Sequence, residues 1–131
     1  GKGRSFENTS VNSDNYTIVC RADSYRPVAP FSEDVIYDHV SGTWKFIIKG
    51  GKISIVRPGL SIDGKIKSKK LGAKKLDLSW KEKMSNALGQ EAILTYQAKI
   101  RSQSFDLHLR IKNDRIDGTA GRATGLCEEQ G

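Results

Sequence analysis

The chain has 131 residues, enough for one hydrophobic core and too few to feed a second. Its 37% apolar and 28% charged composition excludes a chain buried in lipid, and the longest apolar stretch, around Phe46, Ile47 and Ile48, falls far below the roughly 18 residues of a transmembrane helix. The formal net charge of +7 turns attention to acidic partners.

Residues 1–15 are mostly Gly, Ser, Asn and charged groups, with Phe6 and Val11 apolar, and read as a flexible lead-in to a single β domain over 16–131. Tyr16, Ile18 and Cys20 then alternate with Thr17, Val19 and Arg21, the period of a half-buried strand. Pro27 and Pro30 remove backbone donors and make 24–34 a loop or an edge. Residues 35–37 read as a short strand. Next, Trp44, Phe46 and Ile48 point one way, Lys45 and Lys49 the other, and Gly50-Gly51 supplies a two-residue turn into 52–57, with Ile53 and Ile55 inward. Pro58-Gly59 ends that strand. Asp63-Gly64 reads as a further hairpin turn between 60–62 and 65–69, and Gly72 as another break.

Leu76, Leu78 and Trp80 alternate with Asp77, Ser79 and Lys81 as another half-buried strand, and 81–88, a window of good helix formers, offers the alternative of one helical turn stopped by Gly89. Ala92, Leu94, Tyr96 and Ala98 form one more inward set, and Phe105, Leu107, Leu109 and Ile111 the cleanest of all. Asn113-Asp114 makes the last turn into 115–124, where Gly118, Ala120 and Gly121 suggest a bulge. About eight strands and at most one short helix make an all-β antiparallel meander. A closed β-barrel is favoured over a β-sandwich, because little besides the segment 27–30 and the lysines would shield open edges.

Cys20 and Cys127 stand near the two ends of the domain, without Cys-x-x-Cys spacing or an adjacent histidine, so a disulfide is expected rather than a metal site. It would close a loop of about 100 residues, which the chain-entropy model values at about 4–5 kcal/mol. A bridge points to the periplasm or the cell exterior.

Gly42-Thr43-Trp44 resembles the Gly-x-Trp that opens the first barrel strand in the lipocalin and fatty-acid-binding group, where the tryptophan packs across the barrel floor. The resemblance implies a calycin-like barrel able to carry a small apolar ligand, with Trp44, Phe46, Leu78, Trp80, Tyr96, Phe105 and Leu107 lining the interior. The same side chains at the same spacing also make a filled core.

Charge is unevenly spread. Residues 49–83 hold eleven basic side chains against Asp63, Asp77 and Glu82, a local +8, so the remainder of the chain is −1. Lys65, Lys67, Lys69, Lys70, Lys74 and Lys75 are the candidate binding residues, the first three on one face of a strand at about 6.6 Å per two residues. The window has one arginine and one aromatic, Trp80, which disfavours sequence-specific nucleic acid. An anionic glycan, a lipid headgroup or an acidic protein surface fits better. A non-catalytic, exported binding domain without cofactor is therefore the leading expectation. The enzymatic alternative is a metal-free ribonuclease using His39 and His108, with a lysine stabilising the transition state. Neither a Gly-x-Ser-x-Gly elbow nor a Gly-rich phosphate loop is present.

Overall fold

The structure, a computed structural model, describes residues 15–29, 33–70, 75–85, 88–115 and 117–130. Eight strands run in chain order: β1 (Asn15–Pro27), β2 (Gly42–Lys49), β3 (Lys52–Arg57), β4 (Leu60–Lys70), β5 (Lys75–Ser85), β6 (Glu91–Arg101), β7 (Ser104–Lys112) and β8 (Asp117–Gln130). Among the described residues one helix, α1 (Glu33–Val40), lies between β1 and β2. Each strand pairs antiparallel with the next, and β1 pairs with β8, so the meander closes into a barrel.

Period-two alternation places the core. Trp44, Phe46, Trp80, Tyr96 and Phe105 are all buried, and full burial of each such side chain contributes about 1.5–3 kcal/mol. Their rings pack on one another: Trp44 lies 5.3 Å from Trp80 and 5.6 Å from Tyr96, Trp80 stacks on Tyr96 at 5.2 Å, and Phe46 lies 6.0 Å from Phe105. The seven inward residues that would have lined a ligand chamber are thus packed as a core.

The expected disulfide is present. Cys20 and Cys127 stand directly opposite each other in the β1–β8 register and are bonded, across a sequence separation of 107. The bond staples the seam that closes the barrel. On the same seam, a Cβ on Gly125 would lie 1.7 Å from the Arg21 carbonyl oxygen, so only glycine lets the two backbones approach this closely. A buried disulfide is consistent with an oxidising environment.

Several local expectations are overturned. Residues 35–37 belong to α1 rather than to a strand, and 81–85 continue β5 rather than turning helical, because pairing with β6 extends to Ser85↔Glu91 and overrides helix propensity. The edge expected at 24–27 is found, by contrast: these residues continue β1 beyond a bulge and pair with β8 alone, with Pro27 opposite Gly121. Asp63-Gly64 is no turn, since β4 runs unbroken through it. Gly64 is there for space: a Cβ would meet Ile55 Cδ1 at 2.5 Å and the Ser79 carbonyl at 3.2 Å. Gly50-Gly51 does form its turn, with φ of 54° and 87°, and β8 shows the expected irregularity, the β7–β8 register shifting between Leu109 and Arg110. The lead-in 1–14 and the break at Gly72 lie outside the described residues.

Candidate binding surfaces of the barrel

The antiparallel meander gives the barrel two unlike ends. One gathers α1, the β3–β4 turn and the β5–β6 and β7–β8 connections, and the other gathers the β2–β3, β4–β5 and β6–β7 connections.

The lysines concentrate on the β2–β5 wall, with Lys49, Lys52 and Lys75 towards the end away from α1 and Lys81 and Lys83 towards the α1 end. Lys49, Lys52, Lys65, Lys75, Lys81 and Lys83 are exposed, and Lys45 is half-buried. Of the three carboxylates counted against them, Asp77 is held by Arg101 at 2.8 Å, and Glu82 continues the inward parity of Leu78 and Trp80 and accepts a bond from Tyr96. Asp63 is the one left exposed on that wall among the described residues. Lys83 reaches Glu91 at 3.2 Å, and the other exposed lysines of this wall make no ion pair among the described residues.

The row expected along β4 is rearranged by a bulge. Lys65 pairs with Ser79 and Ile66 with Leu78, but Ser68 pairs with Asp77, which leaves Lys67 as the extra residue. Lys65 and Lys69 therefore occupy positions of opposite parity, Lys69 facing the buried Leu76 in the register. A different row replaces it: Lys70 pairs with Lys75 and Lys75 with Arg101, three cationic positions on neighbouring strands spaced by about 4.8 Å. Lys49 faces Lys52 at the next turn along the same end. Directly opposed like charges are destabilising in a sheet. Lys74 lies outside the described residues.

Arg57, counted with the basic window, faces inward. Its guanidinium lies 4.0 Å from the Trp44 ring, donates to the His39 carbonyl at 2.8 Å and donates to the Ser41 carbonyl. Trp44 Nε1 donates to the Val40 carbonyl at 2.9 Å. These bonds satisfy carbonyls at the C-terminal end of α1 and tie the helix to the barrel. Gly42-Thr43-Trp44 thus opens the second strand, with Trp44 packed under α1. Parity could have revealed Arg57 and Glu82: each extends an inward run, Ile53-Ile55-Arg57 and Leu78-Trp80-Glu82, with a charge at the same end of the barrel.

Two cavities open at the α1 end. One of about 370 Å³ is bordered by Met84, Leu94, Ile111 and Arg115, and one of about 300 Å³ by Trp44, Arg57, Ile62, Glu82 and Tyr96; His39 borders both. Burial lowers the Arg57 pKa, while Tyr96, Glu82 and Tyr25 raise it. Burial, and then the Glu82 carboxylate, hold the Tyr96 phenol far above its ordinary value, so it stays protonated and donates to Glu82 at 3.2 Å.

The two histidines do not share a site. His39 sits by the mouth, whereas His108 lies on the β7 wall opposite Arg122, its Nε2 3.0 Å from Thr119 Oγ1. Arg122 is in turn paired with Arg26, so this opposite wall is the arginine side. Burial lowers the His108 pKa, as do Arg122 and Arg110, with Asp106 opposing. The folded form therefore disfavours the imidazolium. Stability should be complete above the unfolded histidine pKa of about 6.5 and fall as pH drops below it towards the lowered folded value. His108→Gln should flatten that part of a stability profile measured by urea denaturation between pH 5 and 8.

Among the described residues no three His, Cys, Asp or Glu side chains gather as metal ligands, and no helix is long and apolar enough to cross a membrane. The class defined by this geometry is a disulfide-closed, eight-stranded antiparallel barrel with a filled interior, a lysine wall and a charged mouth. No protein-family model, curated protein or solved structure matches the chain.

Proposed function

We propose that the protein is an exported, non-catalytic binding domain, secreted or periplasmic, that engages an acidic partner through the lysine wall. The observation that carries this reading is the register row Lys70, Lys75 and Arg101, the last also held by Asp77, with Lys49 facing Lys52 at the same end of the barrel; directly opposed like charges cost stability in the free sheet. An anion along the row would turn repulsion into attraction. Lys65 extends the exposed charge, and Lys67, Lys69 and Lys74 belong to the same basic stretch of sequence. Lysine supplies charge without two-pronged geometry, which suits a flexible polyanion. Among the described residues, the exposed large apolar side chains Val28, Tyr37, Met84, Leu88 and Ile93 lie towards the α1 end and Leu126 alone lies level with the row, which favours an anionic glycan over a bilayer surface.

Retention on immobilised heparin tests the reading. It should weaken steeply as salt is raised from about 0.1 M, where the Debye length is about 10 Å. Lys65→Glu, Lys70→Glu and Lys75→Glu together take the formal charge from +7 to +1 and should abolish retention. Lys99→Glu, Lys112→Glu and Arg115→Glu make the same change in net charge on β6, on β7 and in the β7–β8 connection, and should leave most of it. Equal loss in both triple variants would sink the reading.

A further inference from the structure

The mouth cavity of about 300 Å³ carries one charge of each sign, Arg57 from β3 and Glu82 from β5, and no ion pair joins them. Each is half-buried, and neither pairs with any other ion among the described residues. Arg57 spends two donors on the His39 and Ser41 carbonyls, which fixes the fork while leaving further N–H groups. Glu82 accepts from Tyr96 through Oε1, which orients the carboxylate and leaves its second oxygen. Trp80, which precedes Glu82 on the inward face of β5 and stacks on Tyr96, has its indole N–H buried without a hydrogen-bond partner. Trp44, Pro58 and Ile62 supply an apolar flank.

Partly desolvated charges that fail to pair with each other are costly, and both border one cavity, where a single molecule can meet each of them. A ligand with a single charge would satisfy one group and leave the other unmet. We propose that this mouth binds a small zwitterion of the amino-acid class, its carboxylate on Arg57, its ammonium on Glu82 and an apolar side chain against Ile62 and Pro58. The volume is at the bottom of the range for small-molecule sites and fits a ligand of this size. This site stands apart from the lysine wall and does not depend on it.

The test is a two-dimensional NMR titration of the isotopically labelled protein with each free L-amino acid, followed by β-alanine and γ-aminobutyrate to vary the charge spacing. At least one should bind at millimolar concentration or below and shift resonances of Arg57, Glu82 and Tyr96. Its N-acetylated and methyl-ester forms, each missing one charge, should bind about tenfold more weakly or worse, the loss expected for a hydrogen bond to a charged group. Glu82→Gln keeps an oxygen for Tyr96 and removes the charge, so it should weaken the free amino acid to the same degree while leaving the thermal midpoint near that of the parent. No binding by any of these zwitterions, equal binding of the acetylated and esterified forms, or undiminished binding to a folded Glu82→Gln variant would each overturn the proposal.

Discussion

Converting Cys20 and Cys127 together to serine is expected to lower stability by about 2–5 kcal/mol, with a fall in Tm of roughly 10–20 °C. The size follows from where the bond sits. It joins facing residues of β1 and β8, so it links the first and last strands across 107 positions of chain. Without it the unfolded ensemble regains the entropy that closing so long a loop removes, and the seam is left to backbone bonds and the close approach at Gly125. Urea denaturation with and without a reductant checks this directly. The oxidised parent should unfold at higher urea, the reduced parent should coincide with the double-serine variant, and coincidence of all three would contradict the role assigned to the bond.

Trp44→Ala should cost about 3–5 kcal/mol, the range for emptying a large aromatic site in a close-packed core. Trp44 contacts Phe46, Trp80 and Tyr96, supports the Arg57 guanidinium and donates to the Val40 carbonyl. Its removal therefore opens a void and loosens α1 together. Trp44→Phe retains most of the packing and loses the indole donor, so it should cost less, with α1 amides showing the larger share of the change. Hydrogen exchange read at the α1 amides separates these effects. Protection of α1 that survives Trp44→Ala unchanged would show that the helix is held by something other than this knot.

Much of the barrel was legible because its signal is local and repetitive. Phe105, Leu107, Leu109 and Ile111 announce a buried face by alternation alone, and Gly50-Gly51 announces a turn by the φ it tolerates. What failed depended on partners distant in sequence. Gly64 looks like a turn residue until Ile55 of the neighbouring strand occupies the space where its Cβ would be. The helix formers of 81–85 stay extended because β6 pairs with them, and α1 depends on the carbonyl bonds from Trp44 and Arg57 at its C-terminal end. The same division holds for the candidate surface. An excess of lysine over the middle third is a compositional fact, but the bulge at Lys67 changes which lysines line up, and a bulge is set by the register with β5. The row across Lys70, Lys75 and Arg101 joins three strands, so no spacing along the chain encodes it.

The two walls of the barrel make opposite forecasts for where a polyanion lands. Chemical-shift mapping with a size-defined heparin oligosaccharide should perturb the backbone amides of Lys49, Lys52, Lys65, Lys70, Lys75 and Arg101, and leave those of Arg26, His108 and Arg122 at their free positions. Perturbations centred on that arginine wall, or spread evenly around the barrel, would contradict the assignment of the lysine wall as the binding surface.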